Sequence, residues 1–541
     1  MPESESRNVS RRRFLYEMGA VGGAAAVLSS MEVLGLQPAA AATKVAYTPP
    51  RTGDFAGLKG NGASVVVLGA GIAGLCTAYE LEKAGYAVTL LEARQRPGGR
   101  NWSARQGTTE TALDGTSQVC RFDKGQYMNV GPARIPQHHT TLEYCRELGV
   151  AVEIFGNANE ASYYFNEPST TVSGPLASTA VRHREAKADW FGYTSELLSK
   201  AVNQGALDGD LTAADKEALI AYLRSFGALS DGKYLGGSKR GFPADDEPAA
   251  GLQGGTPLPA PAMSDVLASR LGNYFSFENS WDQAMLMFEP VGGMDRIPYA
   301  LEGALHSKPK YGSEITAISN QPDSVAVDYV RRGITHRVTA DFCVCTIPPQ
   351  ILKKIPSNFP AQVKADLGVP VISDTGKIGF QYGRRWWEED EQVFSGITNT
   401  NTDLGTIWYP SSGYLGQKGV VVGYYNFGPA AASYGALPHA QRQERALAQG
   451  TKIHGPKYRD EMETSFSNYW TTTKYSEGGW ISWPGDTQGG ADSPYGRLLE
   501  PTGRVYFAGD HLSHAIAWQH GAFESARATV MKLHDRALAT A

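Results

Sequence analysis

Cysteine is scarce: the 541 residues hold five, Cys76, Cys120, Cys145, Cys343 and Cys345, with no CxxC pair and no histidines clustered beside them. An odd, scattered set excludes a disulfide framework and a zinc site, so no metal is expected. Cys343 and Cys345 stand two apart in the apolar run DFCVCTI, where the strand period puts both on one face of a buried strand. An excess of one charge is also missing. The 50 basic and 55 acidic residues nearly cancel to a formal charge of −5, so nucleic acid is excluded as a main partner. Charged residues are only 19% of the chain, yet hydrophobic residues are 42% and aromatics 10%, which excludes a disordered chain. Beyond the N-terminal segment no run approaches 18 uninterrupted apolar residues, so stable membrane insertion of the mature chain is not expected. There is no internal repeat and no coiled-coil heptad. What is abundant is glycine, 61 residues against a usual share of roughly 7%, pointing to many tight turns and close backbone approaches to a ligand. A chain of this length divides into two or three packed units.

The N-terminus reads Ser10-Arg11-Arg12-Arg13-Phe14-Leu15, then a soft apolar stretch from Gly19 to Leu36, then Pro38 and the alanines Ala39 to Ala42. That is the order of a cleaved export signal, and the paired arginines resemble the twin-arginine type, which carries folded, cofactor-loaded proteins. Residues 1–42 are read as this signal, and the mature chain as periplasmic or extracellular.

After a Pro- and Gly-rich linker comes SVVVLGAGIAGLCTAYELEKAGYAVTLLEAR, a strand, turn, helix and strand in succession. Ser64 to Leu68 form a buried strand. Gly69, Gly71 and Gly74 supply the tight turn, the close approach to a pyrophosphate and the helix–strand packing, with Ala73 in the same turn. The helix from Ile72 places Leu75, Ala78, Tyr79 and Leu81 at helical spacing and stops near Gly85. Glu92 ends the second strand, where an acid binds ribose hydroxyls. It leads into Ala93, Arg94, Arg96, Gly98, Gly99 and Arg100, where exposed backbone and guanidiniums neutralise a diphosphate. Near the C-terminus, RVYFAGDHLSHAIAWQHGAFESARATV predicts a strand, the turn Gly509-Asp510, and a helix starting around Ala517.

From about Ser64 to Leu533 these motifs resemble the flavin monoamine oxidase superfamily, L-amino acid oxidase branch. The EARQRPGGR continuation, GPARIP at Gly131 to Pro136, EPVGGMDRIPYAL, SEITAI, GKIGFQYGRRWWE and the C-terminal segment each carry part of the likeness. The resemblance implies FAD as cofactor. Asp510 would bind its ribityl chain, the backbone near Ile315 its adenine, and the helix after Ala517 its pyrimidine end. Gly131, Pro132 and Ala133 would run past the ring and end in Arg134, the clamp for a substrate carboxylate. Tyr424 matches the tyrosine that assists this arginine, the Ala517 carbonyl the acceptor for the substrate amine, and Trp518 the aromatic beside it. In GVVVGYYNF, strand alternation puts Val420, Val422 and Tyr424 on one face. Trp480 stands where amine oxidases of mitochondrial type carry a flavin-linking cysteine, which implies noncovalent FAD. Lys377 matches the family lysine that serves the oxygen half-reaction. Period 2 puts Lys377, Gly379 and Gln381 on one strand face and Ile378, Phe380 and Tyr382 on the other.

The fold class expected is α/β: a Rossmann-like FAD-binding domain at 60–137, 285–347 and 482–538, interleaved with a mixed-sheet substrate domain at 138–180 and 348–481. Residues 181–284 form a helical insert, with a substrate funnel or a homodimer contact as its candidate roles. The activity implied is oxidative deamination of L-amino acids, with molecular oxygen as second substrate, to 2-oxo acids, ammonia and hydrogen peroxide. An amine or polyamine oxidase, a decarboxylating amino acid monooxygenase and a quinone-reducing flavoprotein dehydrogenase remain alternatives.

Overall fold

A computed structural model describes residues 62–539; the segment read as an export signal, 1–42, lies outside the described residues. The run SVVVL becomes the strand Ser64–Leu68 at the centre of a five-stranded parallel sheet. From edge to edge the strands are Lys310–Tyr311, Ala87–Glu92, Ser64–Leu68, Phe342–Cys345 and Val505–Phe507. Strands covered on both faces are apolar throughout rather than alternating. Val65 and Val67 pack with the helices Ile72–Lys83 and Gln519–Ala539, while Val66 and Leu68 pack with Ile318, Val325 and Val327 of an antiparallel three-stranded meander, Glu314–Ala340. Cys343 and Cys345 share the meander side of this sheet, and all five cysteines are buried. Helix, sheet and meander thus make three layers, and the parallel strands end with their C-terminal edges toward the ligand site.

A second sheet of seven strands, mostly antiparallel, is built around Thr375–Tyr382 and Gly419–Phe427. Ile378, Phe380 and Tyr382 face the helix His439–His454, in a core with Trp386, Leu447 and Tyr458. Lys377 points the other way. The helices His183–Asn203 and Ala213–Phe226 follow the strand Val181–Arg182 at the edge of this sheet. Among the described residues no helix is long and apolar enough to cross a membrane.

Candidate active site

The first turn after the central strand is shaped by space. Gly69 sits at φ +99°, and a Cβ on Gly74 would lie 1.8 Å from the Gly69 carbonyl oxygen, so the helix approaches the turn only with glycine there. A Cβ on Gly71 would meet nothing within 4 Å, because this residue faces an open cavity. At the end of the second strand the buried Glu92 carboxylate accepts the N–H groups of Ala70 at 2.6 Å and Arg94 at 2.7 Å, which fixes it at the cavity wall.

Two arginines join this wall to the distant C-terminal segment. Arg94 donates to the Lys474 carbonyl at 2.7 Å and the Ser476 hydroxyl at 2.8 Å; Arg100 donates to the Gly479 carbonyl at 2.8 Å and to Asp510. Burial by itself would raise the Asp510 carboxyl, but Arg100, His511 and the Ala517 N–H together hold it below the usual range. The Ala517 N–H reaches Asp510 Oδ2 at 3.1 Å with Ala517 in the left-handed region at φ +69°, a conformation incompatible with a right-handed helix. The helix expected from Ala517 therefore starts at Gln519.

Between these elements lies a cavity of about 530 Å³. Gly69, Gly71, Ala73, Glu92, Ala93, Arg94, Gly99 and Arg100 form its N-terminal wall, and Gly131, Pro132 and Ile315 extend it. Gly509, Asp510, Ala517, Trp518 and Trp480 close the other side. Gly74 and Ala133 are not in the wall: Gly74 packs under the turn, and Ala133 is buried with Phe155 and Met287. Sequence reasoning missed Asn101 and Thr375, buried wall residues whose side-chain polar atoms have no hydrogen-bond partner within the chain. Buried polar groups are nearly always satisfied, so orphans on a cavity wall mark where a ligand supplies partners. Unpaired polar groups, an acid fixed at the wall and a glycine turn fit a dinucleotide cofactor.

Beyond the Gly131 end stands Arg134. Its guanidinium donates to Asn157 Oδ1 at 2.7 Å and lies 4.7 Å from the Trp408 ring, 5.4 Å from Phe277 and 6.0 Å from Trp518. Among the described residues no carboxylate forms an ion pair with it. Burial pushes it down to about 10, opposed by Tyr425 and Asp282. Asp282 is held by the Trp518 indole N–H at 2.9 Å, and Gln283 beside it accepts from Asn157 at 3.2 Å, so one polar chain braces both Trp518 and Arg134. Trp408, Phe277 and Asn157 come from segments without any motif, which is why the sequence did not reveal this cage.

Lys377 is buried, with Nζ donating to the carbonyls of Gly131 at 2.5 Å and Asn129 at 3.2 Å, and lying 4.3 Å from the Tyr425 ring. Burial, with Arg134 adding like-charge repulsion, pushes its ammonium down to about 7.

The expectation for Tyr424 is corrected. The strand Gly419–Phe427 carries a bulge: Ile378 pairs with Tyr424 and Gly379 with Val422, leaving Gly423 as the extra residue. A Cβ at Gly423 would lie 2.3 Å from the Phe380 ring, so the bulge is tied to glycine. Alternation shifts by one, Tyr424 turns into the helix-covered core against Tyr434 at 4.5 Å, and Tyr425 faces the cavity, Lys377 and Arg134. Tyr425→Phe is therefore expected to raise KM for a carboxylate substrate about tenfold, the weight of one hydrogen bond to a charged group. Tyr424→Phe, which alters only a core side chain packed on Tyr434, should leave KM unchanged and shift stability by about 1 kcal/mol or less. Steady-state kinetics and denaturant unfolding separate the two.

The family model for flavin containing amine oxidoreductases matches residues 72–534. The L-amino-acid oxidase of Protobothrops flavoviridis is 26% identical over 483 residues, covering 85% of this chain and 86% of that protein. The flavin-dependent L-tryptophan oxidase RebO of Lentzea aerocolonigenes is 27% identical over 493 residues, covering 86% and 97%. Among solved structures, a cyclohexylamine oxidase from Brevibacterium oxydans superposes with a TM-score of 0.58 at 17% identity, covering 88% of this chain and 99% of that one. A putrescine oxidase bound to putrescine gives 0.56 at 19% identity, covering 87% and 98%.

Proposed function

The chain belongs to the flavin-containing amine oxidoreductases, and on that premise we propose that it oxidatively deaminates L-amino acids, using noncovalently bound FAD and molecular oxygen. The observation that carries this reading is Arg134: a guanidinium without a carboxylate partner among the described residues, enclosed by aromatic rings beside the cofactor cavity. A planar fork of donors suits the α-carboxylate of an amino acid, a group that a simple amine lacks.

When bound, FAD supplies the two-electron acceptor and passes the electrons on to oxygen. The protein supplies position and charge. Arg134 and the Tyr425 hydroxyl hold the carboxylate, and the Ala517 carbonyl takes an N–H of the substrate amine. Trp408, Trp480 and Trp518, with the Phe427 ring 5.4 Å from Trp480 and 4.5 Å from Tyr425, exclude water from the substrate's α-carbon. Lys377, beside the Gly131 carbonyl, places a positive charge where reduced oxygen develops a negative one. Glu92 would hold ribose hydroxyls, Arg94 and Arg100 the diphosphate face, and Asp510 the ribityl chain. The cofactor domain at 60–137, 285–347 and 482–538, the substrate domain between its pieces and the insert at 181–284 remain part of this proposal, as does export by residues 1–42.

The test is peroxide release with the common L-amino acids, each beside its decarboxylated amine. Peroxide from amino acids alone supports the reading; peroxide from the amines alone overturns it in favour of an amine oxidase. Acid precipitation of the purified protein is expected to leave a colourless pellet and a yellow supernatant, because Trp480 offers no thiol for a covalent link. Colour retained on the denatured chain would refute noncovalent binding.

A further inference from the structure

The helix Gln519–Ala539 begins at the cavity wall with no acidic residue in its first turn. The first N–H groups of a helix have no partner inside it and carry about half a positive charge. Its first residue adds an independent observation. Gln519 is only 7% exposed, lines the cavity, and its side-chain Nε2 has no hydrogen-bond partner within the chain. The neighbouring polar groups are satisfied: Asp510 accepts from Arg100 and Ala517, and the Trp518 indole donates to Asp282. An enclosed carboxamide N–H left over on the wall that also carries the orphaned Asn101 and Thr375 points to an acceptor brought by a ligand.

We propose that Gln519 is a cofactor-holding residue of this chain, its side-chain N–H donating to a carbonyl oxygen on the pyrimidine edge of the bound flavin. This rests on the reading that a flavin occupies the cavity. Two-electron reduction, or addition of sulfite, moves negative charge onto that edge. A hydrogen bond to a charged acceptor is stronger than one to a neutral acceptor, so Gln519 favours the charged states over the oxidised one.

The experiment compares the purified flavoprotein with Gln519→Leu, which keeps the bulk without the donor, and Gln519→Glu, which sets a carboxylate in its place. Titration with sulfite is expected to show affinity falling about tenfold or more in Gln519→Leu and further in Gln519→Glu. The midpoint potential should fall by about 30 mV, the equivalent of tenfold for a two-electron couple. A folded Gln519→Leu that releases its flavin supports the same contact through affinity. Should that variant not fold, Gln519→Asn, which withdraws the donor by one methylene, is read in its place. Flavin bound in all variants with sulfite affinity and potential unchanged overturns the proposal. A wild-type protein that carries no flavin instead sinks the reading on which it rests.

Discussion

Replacing Arg134 by alanine is expected to lower kcat/KM for L-amino acids by at least about tenfold and as much as about 10³-fold, with flavin content unchanged. The magnitude follows from where the guanidinium sits. Half-buried and flanked by Trp408, Phe277 and Trp518, it makes a single side-chain bond, to Asn157. A carboxylate arriving there gains a charge-assisted fork of hydrogen bonds between aromatic rings, and the truncated site leaves that carboxylate unpaired. Flavin content should hold because the cavity wall at this end is made by Gly131 and Pro132, not by the Arg134 side chain. Arg134→Lys keeps the charge but loses the fork, so it should recover only part of the loss. Anaerobic mixing with substrate gives the binding constant and the reduction rate separately. Unchanged turnover with a full complement of flavin would assign the arginine another task.

The second large effect is expected at Lys377. Lys377→Met keeps length and removes the charge, and it should slow reoxidation of the reduced protein by oxygen about 10²-fold while anaerobic reduction by substrate changes far less. Reduced oxygen acquires negative charge, and a fixed ammonium stabilises it at little reorganisation cost; substrate oxidation moves no comparable negative charge toward Lys377. The sign of the pH dependence follows from burial, which pushes this lysine down to about 7. Below that pH the ammonium is present, and above it the amine is neutral. Wild-type reoxidation is therefore expected to fall as pH rises through about 7, and the methionine variant to show no such step. Arg134 contributes to the depression through like charge, so Arg134→Ala should move the step to higher pH. Equal slowing of both half-reactions would mean that Lys377 positions the ring or the substrate.

Part of this molecule was legible in the chain because the forces involved are local. SVVVLGAGIAGL encodes a strand with both faces covered, a turn only glycine tolerates and a helix at 3.6-residue spacing, and the structure has the strand Ser64–Leu68 and the helix Ile72–Lys83 in those places. The period-2 reading of Thr375–Tyr382 holds for the same reason: Ile378, Phe380 and Tyr382 enter the core and Lys377 faces away. Alternation failed at Tyr424 because one bulged glycine, invisible to a fixed period, shifts every later side chain to the opposite face and puts Tyr425 in the site. The start of the last helix was misread because a long-range bond, Ala517 to Asp510, imposes a left-handed residue that local propensity does not register. The aromatic cage of Arg134 was closed to sequence reasoning altogether. Trp408 and Phe277 stand in unremarkable segments, and only the packing of the second sheet and the short helix Phe275–Glu278 beside Arg134 brings their rings to the guanidinium. The chain by itself determined which residue types form the nucleotide turn and which strand faces are buried, since neighbouring residues decide those. The tertiary structure alone decided which tyrosine meets Arg134, how deeply Lys377 is buried and what holds Arg100 to Asp510, because those depend on contacts across hundreds of residues that no local pattern encodes.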